Sequence, residues 1–297
     1  MSAATEMSNV PDVAIDATRR SHVWAAAFRS VPGIVGLVLM VIVIALALLS
    51  VFGLTPYDPA HQDVSQSLNP PSAAHWFGTD QFGRDTFSRV ASGLANSLLI
   101  AVVSVAAAAV VGTLLGVLAG FYLGVADRVV GVITNVLFAF PSLLLALALA
   151  ATLQRSWLTV AIAIAIVYMP IFARVARGPV LTLRTAEYVT ASTAIGRSRL
   201  STLFEHVLPN MRSILVVQVT LSLSWAILTE AALSFLGFGT PPPAASLGGM
   251  VYEAQTLSSV APWMLLFPGA ALICAVIGLN LLGDSLRAAL DPKTGGR

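Results

Sequence analysis

Long uncharged runs separated by short polar islands dominate the chain. The first, Val31 to Leu54, has no charged residue, and at 1.5 Å per residue it is long enough to cross a hydrocarbon core of about 30 Å. Similar runs predict spans over residues 31–54, 96–124, 130–152, 157–175, 213–237 and 262–283. Membrane β-strands need only about 10 residues, so runs of this length predict helices. The fold class is therefore all-α integral membrane, with six transmembrane helices and both termini on one side. A transmembrane domain occupies 31–292, with a polar tail at 1–30 that is read as mobile and a short tail at 293–297. A signal-peptide core would be roughly half as long as the first run, which is read as an uncleaved span.

Two polar islands are long. One, 55–95, is rich in proline and aspartate; the other, 178–212, is basic. Of the 16 Lys and Arg residues, only Arg84, Arg89 and Arg155 fall on the side of the first island when the amino terminus is placed inside. That asymmetry puts both termini and the 178–212 island in the cytoplasm. Composition agrees with a membrane protein, at 57% hydrophobic and 10% charged residues. A soluble domain carries about 25% charged residues. The lone cysteine, Cys274, allows no intrachain disulfide.

Within the second island, Thr185 to Ile195 contains no helix breaker, and Gly196 can take the left-handed conformation that ends a helix. Leu200, Leu203, Phe204, Val207 and Leu208 then recur at helical spacing, and Pro209 is expected to stop that segment. Two short helices hinged at a glycine, in a very apolar protein, form a surface suited to another protein. The order Glu187-Tyr188-Val189, Ala191, Gly196 and later Leu208-Pro209-Asn210 resembles the EAA loop of ABC-importer permease subunits. That resemblance implies a type I importer permease fold and a coupling helix that docks on a cytoplasmic ATPase through Glu187, Tyr188, Ala191, Ser192, Gly196, Leu208 and Pro209. Ser192 stands where a second alanine is usual.

The first island holds His75-Trp76-Phe77-Gly78-Thr79-Asp80-Gln81-Phe82-Gly83-Arg84-Asp85. His61, Asp63, His75, Asp80 and Asp85 invite a metal reading, but no pair has the spacing of a dedicated site, so a turn network is expected and no metal. The string is similar to the FGTD-x-x-GRD signature of the dipeptide, oligopeptide and nickel branch of ABC permeases, in its C-type subunit. Gly93 and Ser97 fit that branch, Ala95 replaces a usual arginine, and Leu247 a usual tryptophan. Glu230 through Gly239 and Asn280 through Pro292 resemble it as well. Asp80, Gly83, Arg84, Asp85 and Glu230 are candidates for an outer gate or structural motif.

Gly112, Gly116, Gly120 and Gly124 recur every four residues, a stripe that lets a second helix approach closely. Pro141, Pro170 and Pro268 each remove a backbone hydrogen bond within a span and favour a kink. In the fifth span Gln218, Ser222, Trp225 and Thr229 share one helix face, a candidate lining for the substrate path. Glu230 follows near the outer membrane boundary, either in a gate or as a solvated interfacial carboxylate.

The one lysine, Lys293, has no glycine-rich loop before it, which excludes a phosphate-binding P-loop. Neither a nucleophilic triad nor a metal-ligand constellation is present, so the chain reads as a non-catalytic subunit with no cofactor of its own. The resemblance implies a heterodimer with a homologous B-type permease, two cytoplasmic ATPases that bind ATP and magnesium, and an extracytoplasmic solute-binding protein. The partners are these proteins and membrane lipid, not nucleic acid. Dipeptides or oligopeptides are the implied cargo, with nickel or a metal chelate as the alternative. An ion-coupled secondary transporter is the rival from another class. It would require a relay of ionisable residues near mid-membrane, and Glu230 is its single candidate.

Overall fold

Residues 30–290 are described by the structure, a computed structural model. The 293–297 tail, most of the 1–30 tail and the Asp291-Pro292 end of the last motif lie outside the described residues. Within them the chain is helical apart from turns and one isolated bridge, Thr79 to Asp85. Five helices are long and apolar enough to cross a membrane, and six spans result if one bent pair counts as a crossing.

Helix α1 (Val31–Val51) is capped by the Ser30 hydroxyl, which accepts from Gly33 N. Its Ile34, Val38, Val41 and Ile42 are exposed, as a surface facing lipid requires. Helix α2 (Thr86–Tyr122) has 37 residues and begins well before the expected residue 96. Asp85 starts it by accepting from Ser88 N, and the next ten residues contain no proline. The last part of the 55–95 island is thus helix. At 1.5 Å per residue α2 is about 55 Å long, more than a bilayer core needs.

The expected continuous span 130–152 is two helices, α3 (Gly124–Ala139) and α4 (Ser142–Thr152), bent by 93°. Pro141 supplies the reason. It lacks an N–H, and it forces Phe140 before it into extended backbone, at φ −96° and ψ 140°. By contrast α5 (Trp157–Leu183) runs through both Pro170 and Pro179, past the expected end at 175. Helix α6 (Glu187–Ala194) follows, then α7 (Arg199–Thr202), a π turn over Leu203–Val207, and α8 (Leu208–Asn210). Pro209 does not stop this segment. It lies in the first turn of α8, where its missing N–H is tolerated. Helices α9 (Arg212–Phe235), α10 (Leu247–Ala254) and α11 (Trp263–Leu290) complete the chain.

Following the chain up and down, residues 52–85 and α10 lie at one end of the bundle and residues 184–211 at the other. The core between them is formed by Leu94, Ile100 and Val105 of α2, Ile164 and Phe172 of α5, Ile227 and Leu233 of α9, and Leu247 of α10. The closest helix pair is α2 with α5. A Cβ on Gly112 would strike Met169 O, one on Gly116 would strike Ala173 O, and one on Gly120 would come 3.1 Å from Arg177 O. The neighbour of the glycine stripe is therefore in this chain. Gly124 does not share that role: its φ is +62° and no atom lies within 4 Å of its Cβ position. It turns the chain from α2 into α3 instead.

Gly116→Ala should therefore lower the unfolding midpoint of the purified protein, since overpacking costs about 1–3 kcal/mol. Gly131→Ala, where no atom lies within 4 Å of the added carbon, should leave the midpoint unchanged or raise it. Thermal unfolding in detergent, followed by circular dichroism, distinguishes the two, and equal loss in both variants would refute the packing assignment.

Candidate functional site

Three constellations stand out, one at each end of the bundle and one on α9. At the 184–211 end, α6 is seated by its apolar side. Val189, Leu203, Val207 and Met211 are buried together with Val117 of α2 and with Ala176 and Val180 of α5. The Ser192 hydroxyl is buried too and lies 3.2 Å from Thr202 Oγ1, so its replacement of alanine ties α6 to α7. Gly196, at φ +87°, ends α6 in the left-handed region, and Arg197 N donates to Ser192 O at 3.2 Å. Glu187, Tyr188, Ala191 and Ile195 are left exposed on the opposite side, while Leu208 and Pro209 are half-buried. Tyr188 is held edge-on to His206 at 6.1 Å and accepts from Asn210 Nδ2 at 3.4 Å. Arg197 pairs with Glu205 across the hinge.

At the other end Asp80 organises a clasp. Its Oδ1 accepts from Phe82 N at 2.8 Å and Arg84 N at 3.0 Å, and its Oδ2 accepts from Arg84 Nε at 2.6 Å. Gly83, at φ +72°, makes that turn, and a Cβ there would strike Asp63 O. Arg84 and Arg89 are 4% and 3% exposed, and each donates an Nη2 proton to Glu253 Oε2, at 3.2 and 3.1 Å. Thus α10 is tied to the first turn of α2. Removing one member of such a buried set costs about 3–5 kcal/mol, because it strands the others. Trp263 Nε1 donates to Thr79 O at 3.0 Å and Phe77 stacks on Phe267 at 3.9 Å, joining α11 to the same turns.

The residues considered for a metal are dispersed among separate tasks. Asp63 caps a short 3-10 turn, and the Ser65 hydroxyl and N–H hold its carboxyl below the usual range. Asp85 caps α2 and lies 2.9 Å from His75 Nδ1, while Asp80 serves the clasp. Among the described residues no three His, Cys, Asp or Glu side chains stand together as a metal site.

Glu230 is not a solvated interfacial carboxylate. It is 0% exposed, and its two oxygens accept from Ser97 Oγ of α2 at 2.6 Å and Ser234 Oγ of α9 at 2.7 Å. On α9 the four stripe residues divide. Trp225 is 61% exposed and Gln218 and Thr229 half-buried, but Ser222 is buried and accepts from Gln218 Nε2 at 3.1 Å. The Thr229 hydroxyl lies 3.1 Å from Tyr168 Oη of α5. The Ser224 hydroxyl, on the inner side, donates to Asn280 Oδ1 of α11 at 2.8 Å.

Sequence reasoning missed Glu253, Arg89 and Ser234 as members of these groups. Glu253 is the one acidic residue of α10, and that isolation was the available signal.

Residues 112–296 match the family described as binding-protein-dependent transport system inner membrane component. The chain belongs to this family. It is a multi-pass permease of the bacterial plasma membrane type. A dipeptide transport system permease protein of Alkalihalophilus pseudofirmus is 41% identical over 91% of this chain and 90% of its own length. A probable D,D-dipeptide transport system permease protein of Escherichia coli is 42% identical over 86% of this chain and 87% of its own. A glutathione transport system permease protein of Pectobacterium atrosepticum is 40% identical over 91% of this chain and 90% of its own.

Replacing Glu230 with leucine would leave two buried hydroxyls without their acceptor. The cost should be about 1 kcal/mol each, low in the usual range because a helical serine can turn to a backbone carbonyl. Glu230→Gln keeps an acceptor for one serine and donates to the other. Its unfolding midpoint should lie between those of the wild type and Glu230→Leu, and the reverse order would show that the serine bonds do not matter.

Proposed function

We propose that this chain is the C-type permease subunit of an ATP-driven, binding-protein-dependent importer of dipeptides or oligopeptides. The observation that carries the reading is the seating of α6. Its exposed residues Glu187, Tyr188, Ala191 and Ile195 form a low surface, and its buried Val189 belongs to one apolar cluster with Val117 of α2 and Ala176 and Val180 of α5. A partner docked there pushes on two spans at once.

The distribution of Lys and Arg supports a cytoplasmic position for this element and for both termini. Docked ATPases, which bind ATP and magnesium, would supply the work, and the permease itself would remain non-catalytic. The half-exposed strip of Gln218, Trp225 and Thr229 on α9 supports a substrate path shared with a homologous B-type permease. The clasp end would face the solute-binding protein. Relatives named for dipeptide, D,D-dipeptide and glutathione transport favour peptide cargo over nickel or a metal chelate. An ion-coupled mechanism has less support, because Glu230 is bonded to two serines and no second ionisable side chain bonds to it among the described residues.

Affinity purification from the native membrane tests the coupling assignment. Wild type should bring P-loop ATPase subunits with it, and Glu187→Arg should retain severalfold less. Gly196→Pro should lose them as well, since proline is fixed near φ −65° and cannot adopt +87°. Both variants should still reach the membrane. Unchanged ATPase recovery in both would remove α6 as the joint.

A further inference from the structure

The clasp encloses more polar capacity than it satisfies. Arg89 is 3% and Thr86 1% exposed, yet Arg89 Nη1 and Thr86 Oγ1 have no hydrogen-bond partner among the described residues. Arg89 Nε lies 3.4 Å from Asp80 Oδ2, an ion-pair distance whose geometry falls short of a hydrogen bond. Buried N–H and O–H groups in native proteins are nearly always paired, with protein or with ordered water.

Both residues line one cavity of about 10 Å³, together with Asp80, Met250, Glu253 and Met264. That volume holds about one water molecule. The residues of its wall carry the unpartnered donor Arg89 Nη1, the unpartnered hydroxyl of Thr86, which can donate or accept, and the carboxylates of Asp80 and Glu253. Two to four such partners are what a buried water requires.

Charge decides between water and a small anion. Arg84 and Arg89 are already matched by Asp80 and Glu253, at ion-pair distances between 2.6 and 3.4 Å. Asp85, the next carboxylate, is engaged with His75 and with Ser88. A halide would bring an uncompensated negative charge into a buried site, whereas a neutral molecule would not.

We propose that the clasp holds one structural water between Arg89 Nη1 and Thr86 Oγ1, whose own protons go to the Asp80 or Glu253 carboxylate. The water completes a link from the first turn of α2 to α10. It gives the arginine at position 89 a task lysine cannot perform, since an ammonium cannot reach Glu253, Asp80 and the water at once.

The test is an experimental density map of the full-length protein in lipid nanodiscs, at a resolution where ordered water is visible, prepared in chloride and in gluconate. A peak within hydrogen-bond distance of Arg89 Nη1 and Thr86 Oγ1 is expected in both buffers. A peak in chloride alone would identify an anion and overturn the proposal, as would a cavity without density in either. Thr86→Ser should keep the peak. Thr86→Val, of similar shape but without the hydroxyl, should lose it while the Arg84 and Arg89 bonds to Glu253 persist in the same map. An undiminished peak in Thr86→Val would also overturn the assignment.

Discussion

Gly112, Gly116 and Gly120 of α2 lie against the backbone of α5 at Met169, Ala173 and Arg177. In a bilayer, lipid tails are as apolar as leucine, so burial alone does not hold two helices together. Close backbone approach does, through dispersion contacts that side chains at these positions would prevent. Both rows advance by four residues, so the match is repeated along several turns of each helix. What happens at the two ends of the bundle depends on this pair. One end of α2 carries the clasp, and the other ends of α2 and α5 seat α6.

The same pair explains how so few charges are accommodated. Arg84 and Arg89 are buried, but at the start of a helix about 55 Å long, where the turns of residues 75–85 and α10 provide carboxylates. Toward the opposite end, Arg177 is paired with Asp127 at 2.5 and 2.8 Å, and the Arg174 guanidinium lies 4.1 Å from the centre of the Phe138 ring. These contacts bring α3 back onto α5 after the turn at Gly124. Glu230 is the exception, a carboxylate without a cation, and it is accommodated by two serine hydroxyls on α2 and α9. Ionisable groups therefore mark where helices are fastened, while the middle of the bundle is left to small and apolar side chains.

Much of this was legible in the sequence for a simple reason. Long apolar runs have one stable answer in a membrane, and a glycine between two short helical patterns has a defined backbone role, as Gly196 shows at φ +87°. The errors arose where a local rule met a tertiary partner. The start of α2 was hidden because residues 86–95 lie in the polar 55–95 island, and the carboxylate that receives Arg89, Glu253, is far along the chain. Pro141 and Pro170 look alike in sequence, yet one breaks a span by 93° and the other is carried inside α5. One residue's identity does not encode that difference. Gly124 matched the four-residue spacing but fell at a turn, and Glu230 was read without its two serine partners.

The packing of α2 on α5 also limits how motion can pass between the ends. Gly112, Gly116 and Gly120 keep the backbones of α2 and α5 in close approach over successive turns of both helices. Val189, Leu203 and Val207 share one buried apolar cluster with Val117 of α2 and Ala176 and Val180 of α5, which joins the 184–211 end to both helices. Under the proposed coupling the pair tilts as one body, and the breaks in helical structure at Phe140-Pro141 and Gly196 are where bending is expected. Such a tilt carries the α2 start with it, and through Arg84 and Arg89 it carries α10. Under the proposed coupling, a displacement at α6 reaches α10 through α2 and through the Arg84 and Arg89 bonds to Glu253.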